Sequence, residues 1–498
     1  MLERHAATPE TEAVGRLGLE HFRLLPCPGF GESSMRTSQA IGWYKGYLFV
    51  GTGRRPLRPL GLSPNALQER PLMYQLHKRM QAQQTKSLEA GTQIWRFDPC
   101  HETWEQVYVT PWVIGTDGQE HPRDRGVRAQ AVFQGISDPE PALYFGVGSL
   151  EGQVVLLRSI DAERFEEAEE KGLGLGPVDV PSIRSLCELD GRLYTSPTGK
   201  NHGRGLWDDN ITDFPLVFET EDPYQGRWRP VSTPGFGDVN NLSVNEMAAF
   251  NGCLYAGTLN PKQGYQIWKT EARGSPPYQW RKIIEDGAYR GPASSIAVSM
   301  QVFKGALYVG SGIQRQGRGH PDTYGPFGGE LIRIYADDTW DLVVGKQRFT
   351  PHGFKKPLSG LGPGFGDIFT HAFWRMAVYR GWLYMGTSDW RFMPTYLPGP
   401  GHQRRDLSES RLRYLTERTQ EYRGGFSFWQ SRDGVSWFPI TRTGFQGNPY
   451  AYGIREVVPS PRGLFVAPTF SRSSSWGGGL EVWLGSEEIA AASSPSAL

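Results

Sequence analysis

A short dipeptide repeat constrains this chain more than any other feature. Leu-Tyr or Leu-Phe recurs seven times, at Leu48-Phe49, Leu143-Tyr144, Leu193-Tyr194, Leu254-Tyr255, Leu307-Tyr308, Leu383-Tyr384 and Leu464-Phe465. Most copies follow a glycine and run into small residues or a Gly-Thr turn. A unit repeated at intervals of roughly 50 to 95 residues predicts a radial array of small sheets. The expected fold is all-β, a seven-bladed β-propeller, and the 498 residues suffice for seven four-stranded blades in one closed unit.

The clearest unit begins at Asn245. Residues 245–250 read as an inner strand, and Asn251-Gly252 is a hairpin signal. Residues 253–258, 264–269 and 280–283 supply three further strands, and other segments repeat that order. The seventh unit stops after Val482-Trp483-Leu484 and lacks a fourth strand. Residues 21–32 parallel 228–238, a fourth strand with its exit loop, so the N-terminal strand is expected to complete the last blade and close the ring. Gly-Phe-Gly followed by an acid occurs at Gly29–Glu32, Gly235–Asp238 and Gly364–Asp367, with a looser relative at Gly444–Gly447. These read as structural corners in which glycine supplies positive φ and phenylalanine packs.

Domain boundaries follow from composition. Residues 1–18 and 486–498 are small and polar and read as disordered tails around one domain, 19–485. Connections from second to third strands are long near 53–91, 197–214, 312–329 and 388–425, with short helical insertions expected at about 64–88 and 406–422. Length concentrated on one face predicts a pocket or lid there, and a docking surface for a protein partner is the competing reading.

Bulk properties exclude several classes. The net charge of +1 gives no general attraction to nucleic acid or membrane. Cys27, Cys100, Cys187 and Cys253 are too scattered for a disulfide framework or a CxxC metal site. The first 20 residues lack the apolar core of an export signal, so a cytoplasmic monomer is the expectation. Phosphate-loop, Rossmann and GxSxG patterns are missing from usable contexts, and no organic cofactor is expected. His202, His320 and His402 sit in three separate long loops without HxH or HxxxH spacing, so a metal on them is not the favoured reading.

Counting seven residues back from each hairpin glycine selects Gln39, Arg128, Arg184, Asn245, Val298, Trp374 and Glu456, with Arg36, Glu246, Arg375 and Arg455 close by. Inner strands start near a channel mouth, where several guanidinium forks would suit a carboxylate or phosphate ligand. The alternative pairs each arginine with Glu246, Glu456, Asp238 or Asp367 and ties blades together. Tyr452, His371 and Glu246 are the candidates for proton transfer, beside Arg36 as a catalytic cation. Arg128, Arg184, Asn245, Trp374, Arg375 and Arg455 are the candidates for substrate binding.

The pattern Phe-x-Gly-x-Leu-Tyr-x-Gly-Thr followed by Gln-Ile-Trp resembles bacterial propeller proteins with Asp-box-like hairpins, and Ser431–Trp437 resembles such a hairpin one residue short. Within that group the chain is similar to cyanobacterial propeller enzymes that join alkyl halides to aromatic or carboxylate nucleophiles. That resemblance implies an arginine and a tyrosine near the channel mouth, for which Arg36 and Tyr452 are the matching positions. The relatives' calcium-binding extension has no counterpart in this sequence. The leading expectation is an enzyme acting on an anionic or polarised small molecule, alkylation being one form. A non-enzymatic interaction scaffold and a glycan-active lyase or hydrolase are the alternatives.

Overall fold

The second strands explain the repeat. Every leucine of the seven dipeptides is fully buried, and every aromatic partner is at most 1% exposed. Successive strand residues point to opposite faces of a sheet, so the leucine and the aromatic pack against different neighbours. Leu254 joins a cluster with Tyr194 of the preceding unit, whereas Tyr255 joins one with Leu307 of the following unit. Tyr308 meets Leu383, Tyr384 meets Leu464, Phe465 meets Leu48, Phe49 meets Leu143, and Tyr144 meets Leu193. Each dipeptide thus seals two interfaces, at about 1.5–3 kcal/mol per buried side chain.

The computed structural model describes residues 15–32, 35–53, 91–115, 118–149, 153–176, 180–199, 210–314, 327–389, 425–448, 451–470 and 479–489. The protein is all-β. The first strands of successive units are Thr37–Tyr44, Asp124–Phe133, Ser182–Leu189, Ser243–Phe250, Ile296–Phe303, Thr370–Tyr379 and Ala451–Ser460. Each opens an antiparallel meander; the fourth unit continues through Cys253–Leu259, Ile267–Thr270 and Arg281–Ile284. Each first strand lies against the first strand of the next unit, and Ala451–Ser460 lies against Thr37–Tyr44.

The N-terminal strand makes the pairing that the sequence predicts. Phe22–Leu24 pairs antiparallel with Trp483–Gly485, the third strand of the seventh unit. Upstream, Leu17 is fully buried in the core between the sixth and seventh units. Its backbone N–H donates to Gln430 Oε1 at 3.2 Å and its carbonyl accepts from Gln430 Nε2 at 2.6 Å. At the other end Ser486 is buried, and Glu487 pairs with Arg380. Packed residues therefore occur before 19 and after 485. The helical insertions expected at 64–88 and 406–422 lie outside the described residues.

The Gly-Phe corners have one geometry. Gly29-Phe30, Gly235-Phe236 and Gly364-Phe365 all hold two successive left-handed residues. This turn throws the phenylalanine onto a tryptophan in the third strand of the next unit. Phe30 stacks on Trp95 at 4.7 Å, Phe236 on Trp268 at 5.0 Å and Phe365 on Trp429 at 4.2 Å. Phe445 of the looser relative lies 4.7 Å from Trp483 with its ring tilted by 36° rather than stacked. Gly172-Leu173 and Gly287-Ala288 adopt the same left-handed pair without the aromatic, so the corner recurs where its sequence signature is missing.

The hairpin at Ser431–Trp437 is also a folding device. Asp433 Oδ1 accepts from the backbone N–H groups of Val435 and Ser436 at 2.8 and 2.7 Å. Asp161 does the same for Glu163 and Arg164, and Asp98 for Cys100 and His101. These carboxylates satisfy turn donors that strand pairing leaves free.

Candidate functional site

All seven first strands carry a register shift at one level. The breaks fall at Ser38/Ala40, Val127/Ala129, Ile183/Leu186, Val244/Glu246, Ala297/Ser299, Phe373/Arg375 and Ile454/Glu456. The extra residues are Gln39, Arg128, Arg184 with Ser185, Asn245, Val298, Trp374 and Arg455. A β-bulge re-aims side chains and is a common device beside binding sites. The seven-residue count from the glycine therefore finds the bulge in six units and misses it by one in the seventh. There Ser460 pairs with Gly463, so the two turn residues are Pro461-Arg462 and the glycine already belongs to the next strand. A second bulge nearer the strand start holds His371 in the sixth unit and Tyr452 in the seventh.

A charged group from three units meets at this level. Arg375 Nη2 donates to Glu456 Oε1 at 2.7 Å, and Arg375 Nη1 stands 3.8 Å from Glu246 Oε2. The guanidinium also donates from Nε to the Arg455 carbonyl at 3.2 Å. The two carboxylates keep 13% and 8% of their side-chain surface exposed, and Arg375 keeps 30%. Burial pushes both Glu246 and Glu456 above the ordinary glutamate value. Arg375, Arg184 and Arg455 oppose that rise at Glu246, and Arg375 and Arg455 do so at Glu456. Burial works against the charge of Arg375, but Glu456 and Glu246 hold it above its ordinary value. Cys187 lies in the same field and is pushed up to about 12 by burial, then by Glu246.

Arg128 and Arg184 meet on Asn210, a residue that sequence reasoning missed. Asn210 Oδ1 accepts from Arg128 Nη2 at 3.1 Å and from Arg184 Nη1 at 3.0 Å. Its Nδ2 donates to Gln314 Oε1 at 2.7 Å. A neutral amide thus organises two cations, and no repeat or motif marks its position.

Trp374 belongs to inter-unit packing. Its ring lies 5.9 Å from Tyr452 and 4.8 Å below the Arg455 guanidinium. A Cβ on Gly453 would come within 2.6 Å of the indole, so only glycine lets the ring sit there. Asn245 is fully buried and donates to the Ala297 carbonyl at 2.8 Å, tying the fourth unit to the fifth. Asp238 accepts from Gln266, Asn260 and Asn240, so it serves its corner. Arg36 precedes the first strand of the first unit and is 8% exposed. His202, His320 and His402 lie outside the described residues, and no cluster of three metal-ligating side chains occurs among the described ones. No helix among the described residues is long and apolar enough to cross a membrane.

The arrangement offers guanidinium groups for an anion and two buried carboxylates able to exchange a proton. Glu456 takes the short bond to Arg375 and Glu246 the long contact, so that guanidinium holds Glu246 less tightly.

No family model matches the sequence, and no curated protein does. Among solved structures the chain is similar to a puromycin hydrolase at 10% identity and a TM-score of 0.37, and to a mutant of puromycin hydrolase complexed with PGG at 11% and 0.38. It is also similar to a puromycin-hydrolyzing peptidase of Mycobacterium tuberculosis at 9% identity and a TM-score of 0.44. These matches cover 88%, 89% and 89% of this chain but only 59%, 60% and 50% of the other chains.

Proposed function

We propose that the seven units are the blades of a closed β-propeller whose axial site binds a small anionic molecule and moves a proton on it. The cyclic contacts of the first strands and the pairing of Phe22–Leu24 with Trp483–Gly485 support the closed ring. The observation that carries the ligand reading is the convergence of Arg184, Arg375 and Arg455 around Glu246 and Glu456, with Arg128 joined through Asn210. The guanidinium groups would orient a carboxylate or phosphate, and Glu246 would serve as proton donor and acceptor, supported by Glu456. Alkylation has no support in this arrangement and is not part of the proposal.

A panel of small carboxylic acids and phosphate esters tests this by calorimetric titration against the intact protein and Arg184→Ala. Saturable binding of at least one anion is expected, weakened roughly tenfold or more in the variant. No binding across the panel, or unchanged affinity in the variant, overturns the reading.

A scaffold role draws on a different observation. Phe349 and Phe354 are 84% and 51% exposed on a hairpin between the fifth and sixth units. A partner held there would lose affinity on Phe349→Ser and ignore Arg184→Ala.

A further inference from the structure

Arg36 is a buried cation with no counter-charge among the described residues. It is 8% exposed, and its Nε is buried and makes no hydrogen bond. No salt bridge, side-chain hydrogen bond or aromatic face takes its guanidinium among the described residues, and burial alone acts on its charge, pushing its pKa down. An isolated buried charge is costly, and folded proteins normally pair it. The contrast with the equally buried Arg158 is direct, because it meets the carboxylates of Asp138 and Glu166, and the less buried Arg375, Arg123 and Arg348 also meet carboxylates.

The backbone explains why Arg36 stays inside. Met35 is fully buried, and its carbonyl accepts from Leu480 N–H at 2.6 Å. The Arg36 carbonyl accepts from Phe470 N–H at 3.1 Å, and Thr37 then pairs with Gly53. Residues 35–37 are therefore clamped between the first and seventh units, close in sequence to the strand at 22–24 that pairs with 483–485. Main-chain bonds hold the position, leaving the guanidinium without a hydrogen-bonding or ionic partner among the described residues.

We infer that Arg36 anchors an oxyanion site, for a phosphate or carboxylate group, at the junction of the first and seventh units. The planar fork suits bidentate binding, and a bound oxyanion would supply the missing counter-charge. An anion that binds the folded chain alone also stabilises it, so occupancy would strengthen the junction. This site uses none of the residues of the proton-transfer chemistry proposed above and survives if that chemistry fails.

Thermal melting of the full chain at low ionic strength tests the inference, with inorganic phosphate or acetate added and sodium chloride as the ionic control. The wild type should gain melting temperature saturably with phosphate, acetate or both, and which one acts identifies the group. Arg36→Met keeps the volume and removes the charge. Without anion it should melt about 1–2 °C or more above the wild type, and the anion response should vanish. Arg36→Lys keeps the charge but loses the fork, so it should fold normally and need roughly tenfold more anion, even if the methionine variant misfolds. A wild type indifferent to both anions overturns the site, as does an undiminished response in both variants. Arg184→Ala should keep the response, which separates this site from the axial one.

Discussion

The Arg375 guanidinium bonds the Glu456 carboxylate at 2.7 Å, and the two side chains come from first strands of different units. With Glu246 at 3.8 Å, one cation holds two buried acids from two further units. The charged centre therefore couples the packing of three units to the chemistry proposed for it.

Arg375→Met should strand both acids. Breaking a buried pair by removing one partner typically costs about 3–5 kcal/mol, and the 30% exposure of Arg375 places the expected loss near the low end. Urea unfolding at neutral pH measures it. Adding Glu246→Gln and Glu456→Gln to the same chain should restore most of the loss.

The same two acids set a pH dependence. Burial raises both above the ordinary 4.5, so the folded chain binds their protons more tightly than the unfolded chain does. Their stabilising contribution is complete below about 4.5 and is lost as pH climbs through the raised values. Melting temperature followed upward from that pH should fall in the wild type and stay flatter in Glu246→Gln/Glu456→Gln. Parallel curves for the two proteins would contradict this.

The corner stacks predict a stability effect remote from the site. Phe365 lies 4.2 Å from Trp429 and is 5% exposed, so Phe365→Ala removes the latch between the fifth and sixth units. A loss of about 3–5 kcal/mol is expected in chemical unfolding. The neighbouring exposed Phe349 should tolerate the same change within about 0.5 kcal/mol.

Gly453→Ala tests the indole seat. The new Cβ would meet Trp374 at 2.6 Å and the Thr387 carbonyl at 3.1 Å, so the ring must move. Overpacking of this kind costs about 1–3 kcal/mol. Tryptophan fluorescence should shift, and anion affinity should fall because Arg455 rests on the same ring.

Much of this was legible in the residues because the fold repeats. The Leu-aromatic pairs mark second strands, and the Gly-Phe-Gly segments mark corners, because each local signal reports a position that recurs in the fold. The pairing of residues 22–24 with 483–485 was legible because one unit lacked a strand and the other end of the chain held a spare. Asn210 and Gln314 were illegible, since they sit at loop edges outside the repeat and act only through cross-chain geometry. Leu17 was misjudged from composition, because its burial depends on Gln430, far away in sequence. The acids around Arg375 were named as candidates, but which arginine takes them depends on how first strands from distant parts of the chain meet.

The most direct test of the axial anion site is a high-resolution crystal structure of the protein soaked with the tightest-binding acid from the titration panel. The account predicts density for the acid within hydrogen-bond distance of Arg184, Arg375 or Arg455, with Glu246 near the atom that exchanges a proton. An axial site without the acid, with every guanidinium closed onto a protein carboxylate, would contradict it.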